Sequence, residues 1–364
     1  MKSLKSKTYN MRLEGVSMNK LYAGVLAVIL IVVIVGAAWF AFFYTPAAPA
    51  SNKIGLILGT GGLGDKSFND IAYAGALRAK DELGIEFSIA EPKAISEYEG
   101  FQTNFAKTGE YALVICIGFD QVDALNKTAQ AYPNQNFALV DMVLDMPNVA
   151  SLTFRANEGS FLTGVIAGMF TGITENNKVG FVGGQDIDLI RDFYVGYKAG
   201  VEWANPSATV LDPVFVGGWG DPTKGKELAE SLIELGADGI FAAAGKSGLG
   251  TLEAVHENGI MGFGVDSCQD YLYPEIVASA TKRVDVAVYK MIEDAINGEF
   301  EGGFYSGGLA EKWTGCSRLP DEESFWEDTF DFTEGDLPED VVTKLTEANA
   351  GIIAGTITVP SGYT

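Results

Sequence analysis

From residue 54 onward, short apolar runs and stretches of helical period follow one another without a break, and at Lys178 the series starts again. Strand-like runs at 54–58, 86–90, 113–117, 136–140 and 149–154 are separated by helical stretches at 68–83, 98–108 and 122–131. A helix at 158–173 leads into the second series. There, strands at 178–182, 209–215, 239–243 and 262–265 alternate with helices at 189–204, 224–234 and 251–257. Such alternation builds parallel sheets with helices on both faces. The strand runs are apolar on both faces, as strands buried between two helical layers require. Two series of similar length predict an α/β protein of two doubly wound lobes. In the tail, 316–335 is acidic and aromatic without clear period, 338–349 reads as a helix and 351–359 as a last strand.

Glycines stand where strands end: Gly59, Gly118, Gly183, Gly217 and Gly245. Ligands of open α/β sheets bind outside the carboxyl ends of the strands, so these loops are the places to look for function. The first, Gly59-Thr60-Gly61-Gly62-Leu63-Gly64, fits the spacing of a dinucleotide fingerprint. Asp65 and Asp70, however, stand where a pyrophosphate would need bare amides. No cofactor is expected. With one histidine in the chain, His256, a multi-histidine metal site is excluded, and no metal site is expected.

The first 20 residues are basic, and 21–44 carry no charge. As a helix that stretch is about 36 Å long, enough to cross a bilayer core of about 30 Å. The charge asymmetry puts the N-terminus in the cytoplasm and the bulk of the chain outside. The expected layout is a cytoplasmic segment 1–20, a single-pass membrane anchor 21–44, a tether 45–52, and a binding domain 53–364 on the extracytoplasmic face. A cleavable signal ending near Ala48-Pro49-Ala50 is the competing reading, but the apolar run is longer than such signals use. No cysteine precedes Cys116, so a lipid-modified cysteine is not expected. The net charge of −23 opposes nucleic acid and phosphorylated ligands at long range.

Gly62-Leu63-Gly64-Asp65-Lys66-Ser67-Phe68-Asn69 resembles the opening signature of the basic membrane protein family of ABC-transporter substrate-binding proteins, whose best-known members bind purine nucleosides. Ile117-Gly118-Phe119, Val140-Asp141, Asn157-Glu158-Gly159, Lys178-Val179-Gly180-Phe181, Ala243-Ala244-Gly245-Lys246, Gly264-Val265-Asp266-Ser267 and Ser279-Ala280-Thr281-Lys282 continue the likeness in order, over about 53–300. The chain departs from the family at 268, a cysteine where an acidic residue is usual, and in lacking a lipidated cysteine.

The resemblance implies a type I periplasmic-binding-protein fold with two Rossmann-like lobes joined by three crossovers. The expected division is 53–154 plus 267–303 for the first lobe and 155–266 plus 304–364 for the second. It further implies that Phe68 and Phe193, one from each lobe, sandwich a flat base. Asn69 and Asp141 would read the base edge, with Asp65 and Phe119 in the same mouth. Asp266 would accept from sugar hydroxyls, and Lys282 would donate to that sugar and offset Asp266. Gly245 would let backbone approach the ligand. The implied partners are a small-molecule ligand of the nucleoside class and the permease and ATPase subunits of an importer; the clamp is expected to be a monomer and not an enzyme. A sugar or other neutral solute, a surface receptor, and a nucleoside hydrolase built on the several aspartates are the alternatives.

Overall fold

The computed structural model describes residues 51–363 apart from 175, 331, 332 and 334. The expected anchor at 21–44, the basic segment before it and the tether up to residue 50 lie outside the described residues. Among the described residues no helix is long and apolar enough to cross a membrane.

The first sheet holds β1 (Lys53–Ile57), β2 (Glu86–Ala90), β3 (Tyr111–Ile117), β4 (Phe137–Val140), β5 (Val149–Phe154) and β12 (Gly303–Gly307), in the order β12-β5-β4-β3-β1-β2. All of its pairings are parallel. Alternate residues along its strands enter opposite layers. Ile54, Leu56, Ile115 and Leu152 pack with α1 (Phe68–Leu83) and α8 (Val284–Asn297). Ile57, Val114, Leu139 and Val149 pack with α2 (Tyr98–Ala106) and α3 (Val122–Ala131).

The second sheet repeats the plan with β6 (Lys178–Gly183), β7 (Thr209–Val210), β9 (Gly239–Ala243), β10 (Met261–Asp266), β11 (Ile276–Lys282) and β13 (Thr314–Cys316), in the order β13-β11-β10-β9-β6-β7. Only β13 runs antiparallel to its neighbour. One face packs against α4 (Ala156–Thr171), α5 (Asp188–Ala204) and α10 (Glu339–Ile353). The other packs against α6 (Pro222–Glu234) and α7 (Lys246–Asn258). In both sheets the strand order reverses beside the first strand, between β1 and β3 and between β6 and β9, which is where such sheets open a crevice.

Several boundaries differ from the sequence reading. The run 209–215 is two short strands, β7 and β8 (Val214–Phe215), both paired to β6. Pro213 lies between them, and a proline gives the ladder no N–H. The stretch 351–359 is not a strand: the helix continues to Ile353, a turn follows, and Ile357 and Val359 pack into the second core without pairing. The featureless tail holds β13 and a short helix, α9 (Glu323–Phe330). The lobe division also moves. Residues 276–282, assigned to the first lobe, form β11 of the second sheet, and β12, assigned to the second lobe, pairs with β5 in the first. Trp326 of α9 likewise packs in the first core. The crossings between the two sheets fall at Arg155, at Arg283 and between β12 and β13. They are tied side by side, Arg155 N–H donating to Gly307 O and Arg283 N–H to Trp313 O, each at 2.8 Å.

Helices α4 and α5 meet through glycines. A Cβ on Gly164 would overlap the carbonyl of Tyr197, and one on Gly200 that of Phe161. Gly164→Val is therefore expected to destabilise the protein by about 1–3 kcal/mol or more in urea unfolding, since a packed contact cannot absorb the added methyls. Gly100→Ala, on an exposed face with open space around it, should be neutral or mildly stabilising. Equal midpoints for the two variants would refute the close helix crossing. The three cysteines, Cys116, Cys268 and Cys316, are buried as thiols.

Candidate functional site

The carboxyl ends of both sheets open onto one cleft, whose space together with the solvent at its mouth is about 650 Å³. All nine residues singled out in the sequence line it: Asp65, Phe68, Asn69, Phe119, Asp141, Phe193, Gly245, Asp266 and Lys282. They come from strand ends, loops and helix starts and from α5, up to about 200 residues apart in the chain, and the strand ends bring them together.

The first loop is held by its own carboxylates. Asp65, 1 % exposed, accepts the backbone N–H groups of Ser67, Asn69 and Asp70 and so serves the free amides at the start of α1. It also accepts from Asn69 Nδ2 at 2.9 Å, while Asn69 Oδ1 accepts Gly59 N–H at 2.8 Å. Most of the hydrogen-bonding capacity of Asn69 thus goes into shaping the loop, which leaves one N–H and one lone pair for a ligand. Asp70 accepts from Gly64 and Lys66 N–H. This explains why the loop is no phosphate cradle: its amides already point at carboxylates.

Asp141 follows β4 directly and Asp266 ends β10, the equivalent fourth strands of the two lobes. Both have left-handed backbone, φ +70° and +64°. That conformation is uncommon outside glycine and concentrates at functional sites. Asp266 Oδ2 accepts from Ser67 Oγ at 2.6 Å, a contact between the lobes. Nearby, Gln269 Nε2 donates to Lys66 O at 3.1 Å. Burial pushes the Asp266 carboxyl up to about 6, with Lys282 and Ser67 pulling against it and Asp141 and Asp65 adding to the rise. Burial also raises Asp141, again opposed by Lys282.

Lys282, at the end of β11, pulls Asp266 down by its charge, in line with the expected offset. Its direct partner, however, is Asp141, with Nζ 2.5 Å from Oδ2 and both side chains almost fully buried. The reason is reach across the cleft: the strand end aims the ammonium at the other lobe. The ammonium also stands over three rings, 4.7 Å from the centre of Phe68, 5.3 Å from Phe154 and 5.7 Å from Phe193. Such contacts hold a desolvated cation. Asp141 Oδ1 is buried and has no hydrogen-bond partner among the described residues. An unpaired buried carboxylate oxygen is costly, and a ligand N–H or O–H would relieve it.

Phe193 is 3 % exposed and packs edge-on to Phe241 in the second core, with ring centres 6.4 Å apart, while also lining the cleft. Gly245, φ +54°, carries the backbone past Trp219 into α7.

Sequence reasoning passed over Trp219. It stands in the Gly217–Gly220 run after β8, lines the cleft, and meets Phe119 of the other lobe edge to face, with ring centres 6.5 Å apart. Gly184 leaves room for its indole, since a Cβ there would be only 2.2 Å from a ring carbon. The available signal was an aromatic inside a glycine run at a strand's carboxyl end. Asp120 also lines the cleft. With Asp65, Asp141 and Asp266 it makes four carboxylates against the two lysines of the lining, Lys246 and Lys282. Among the described residues no group of His, Cys, Asp and Glu is placed to hold a metal.

Two parallel α/β lobes with their strand ends turned to a common, aromatic, carboxylate-rich cleft define a solute-binding protein of the periplasmic-binding type. Residues 52–327 match the family model Bmp, described as ABC transporter substrate-binding protein PnrA-like, and the chain belongs to that family. It is 34 % identical over 289 residues to an uncharacterized lipoprotein of Pyrococcus horikoshii, covering 76 % of this chain and 71 % of that one. It is 32 % identical over 285 residues to basic membrane protein A of Borreliella burgdorferi, covering 75 % and 81 %. A crystal structure of an ABC transporter system solute-binding protein from Aeropyrum pernix superposes with TM-score 0.74 at 32 % identity, over 85 % of this chain and 93 % of that one. The family is one of solute-binding proteins that hand a small molecule to a transporter.

Proposed function

We propose that this protein captures an uncharged nucleoside between its lobes and delivers it to the permease of an ABC importer. The observation that carries the reading is the unpaired Asp141 Oδ1, buried beside Lys282 and the rings of Phe68 and Phe193. A flat ring finds apolar walls there, and a donor finds a waiting acceptor. Base–aromatic stacking contributes about 1–3 kcal/mol per base. Asp266 then serves the sugar, because a carboxylate can accept from two neighbouring hydroxyls. Four carboxylates against two lysines disfavour a phosphate or free carboxylate on the ligand. The domain works at the outer face of a membrane; the lipoprotein name of the Pyrococcus relative and the uncharged stretch 21–44 support this placement.

Thermal unfolding against a panel of nucleosides, free bases, nucleotides, sugars and amino acids tests the proposal. A ligand at 100 times its Kd that binds only the folded state adds about 2.7 kcal/mol. A rise in Tm with nucleosides and none with their phosphates is expected. A rise with sugars and none with nucleosides would discard the ligand and keep the clamp.

A further inference from the structure

Asp120 is set apart from the other carboxylates of the cleft by what it is bonded to. The donors that meet Asp65 come from its own loop. Asp266 receives Ser67, and Asp141 receives Lys282. Among the described residues Asp120 takes the Tyr98 hydroxyl, 3.1 and 3.2 Å from its two oxygens, along with its own backbone N–H. A carboxylate offers about four lone-pair directions, so it keeps room to accept more.

Its position is fixed from behind. Tyr98 is wholly buried, and its oxygen accepts Thr60 N–H at 3.2 Å, so its single proton is committed to Asp120. Gly118, φ +119°, turns the chain out of β3 and brings the carboxylate beside the first stacking wall. A Cβ built on Gly118 would be 3.0 Å from Asp120 Oδ1 and 3.9 Å from Phe68 Cε1. Asp120 and the Phe68 ring thus both border Gly118, which puts the acceptor on the Phe68 side of the cleft. Partial burial raises the Asp120 carboxyl, with the Tyr98 hydroxyl pulling against it.

We infer that Asp120 is a specificity-determining residue of the cleft, accepting a hydrogen bond from a ring N–H or exocyclic amino group on the edge of a planar heterocycle, with Tyr98 as its positioning residue. The inference rests on the nucleoside reading and narrows it to bases whose exposed edge carries a donor. A site built to pair such a donor rejects an analogue without one, because its own acceptor is then left dry and unpaired.

The test is a comparison of Kd values, by calorimetry on the purified protein, for adenosine and inosine, whose bases carry an N–H donor, and purine riboside, whose base carries none. In the unaltered protein, purine riboside should bind roughly 10- to 100-fold more weakly than the better of the other two. In Asp120→Ala the ratio should shrink to about threefold or less, with purine riboside bound as well or better, since no acceptor is then left unpaired. Tyr98→Phe, which keeps the ring and removes the hydroxyl, should shrink the ratio part of the way. Should Asp120→Ala not fold, the isosteric Asp120→Asn and Tyr98→Phe decide by the same ratio. A ratio unchanged in these variants overturns the role of Asp120 and leaves the nucleoside reading standing. Failure of the folded, unaltered protein to bind any of the three overturns that reading and the inference with it.

Discussion

Lys282→Met is expected to lower the unfolding free energy by about 3–5 kcal/mol at neutral pH, the usual consequence of removing one partner from a buried ion pair. The stem and its volume stay, so the loss is electrostatic. Asp141, bonded to Lys282 at 2.5 Å, and Asp266, which the same ammonium pulls down, would both be buried without a cation. The deficit must depend on pH in one direction. A carboxyl whose folded value is raised adds stability below its unfolded value, and that stability is lost as pH rises through the folded value. For Asp266 in the intact protein those limits are 3.8 and about 6. Without Lys282 both aspartates move further up, so the variant should be nearest to the intact protein in acid and fall behind as pH rises. Adding Asp141→Asn to Lys282→Met should recover part of the loss. Urea unfolding over a pH series measures this, and a deficit that does not vary with pH would assign it to packing of the lysine stem instead.

Asp266→Ala is expected to weaken binding of the proposed nucleoside ligand by roughly 10- to 100-fold, the range for losing hydrogen bonds to a charged acceptor. In the proposed complex ligand hydroxyls donate to the ionised carboxylate, so binding would favour the deprotonated form. Because burial lifts that carboxyl to about 6, affinity should be level at neutral pH and above. It should fall with acidity once pH drops below that value, approaching about tenfold per unit. Asp266→Asn should flatten this arm of the profile. Calorimetric titrations across the range decide it: an acid arm that survives in Asp266→Asn places the titrating group elsewhere, Asp141 being the nearest candidate.

The doubly wound plan was legible because local pattern carries it. Helix α1 begins at Phe68, as read from the sequence, because Asp65 satisfies its first amides. What local pattern cannot carry is which sheet a strand joins. Residues 276–282 and 303–307 are each a plausible strand for either lobe, and only the pairing partners β10 and β5 decide. The final stretch 351–359 looked like a strand because Ile357 and Val359 alternate with polar residues, yet a side chain can enter a core from a turn as well as from a ladder. The cleft residues were found by family likeness and strand-end position. The partnership of Lys282 with Asp141 was not, since those residues are 141 positions apart and belong to different lobes. Trp219 was missed because a glycine run has no period to read.

The buried cysteines have a practical side. The reactive species is the thiolate, and burial holds the Cys116 thiol far up and pushes Cys316 to about 12. Cys268 is as deeply enclosed. Maleimide dyes therefore have no native target in the folded protein. A pair of cysteines introduced on the outer surfaces of the two lobes would take up donor and acceptor fluorophores selectively, with the native residues left in place. Whether the lobes open and close around a solute can then be followed by energy transfer in single molecules, on a protein whose interior has not been altered to make the observation possible.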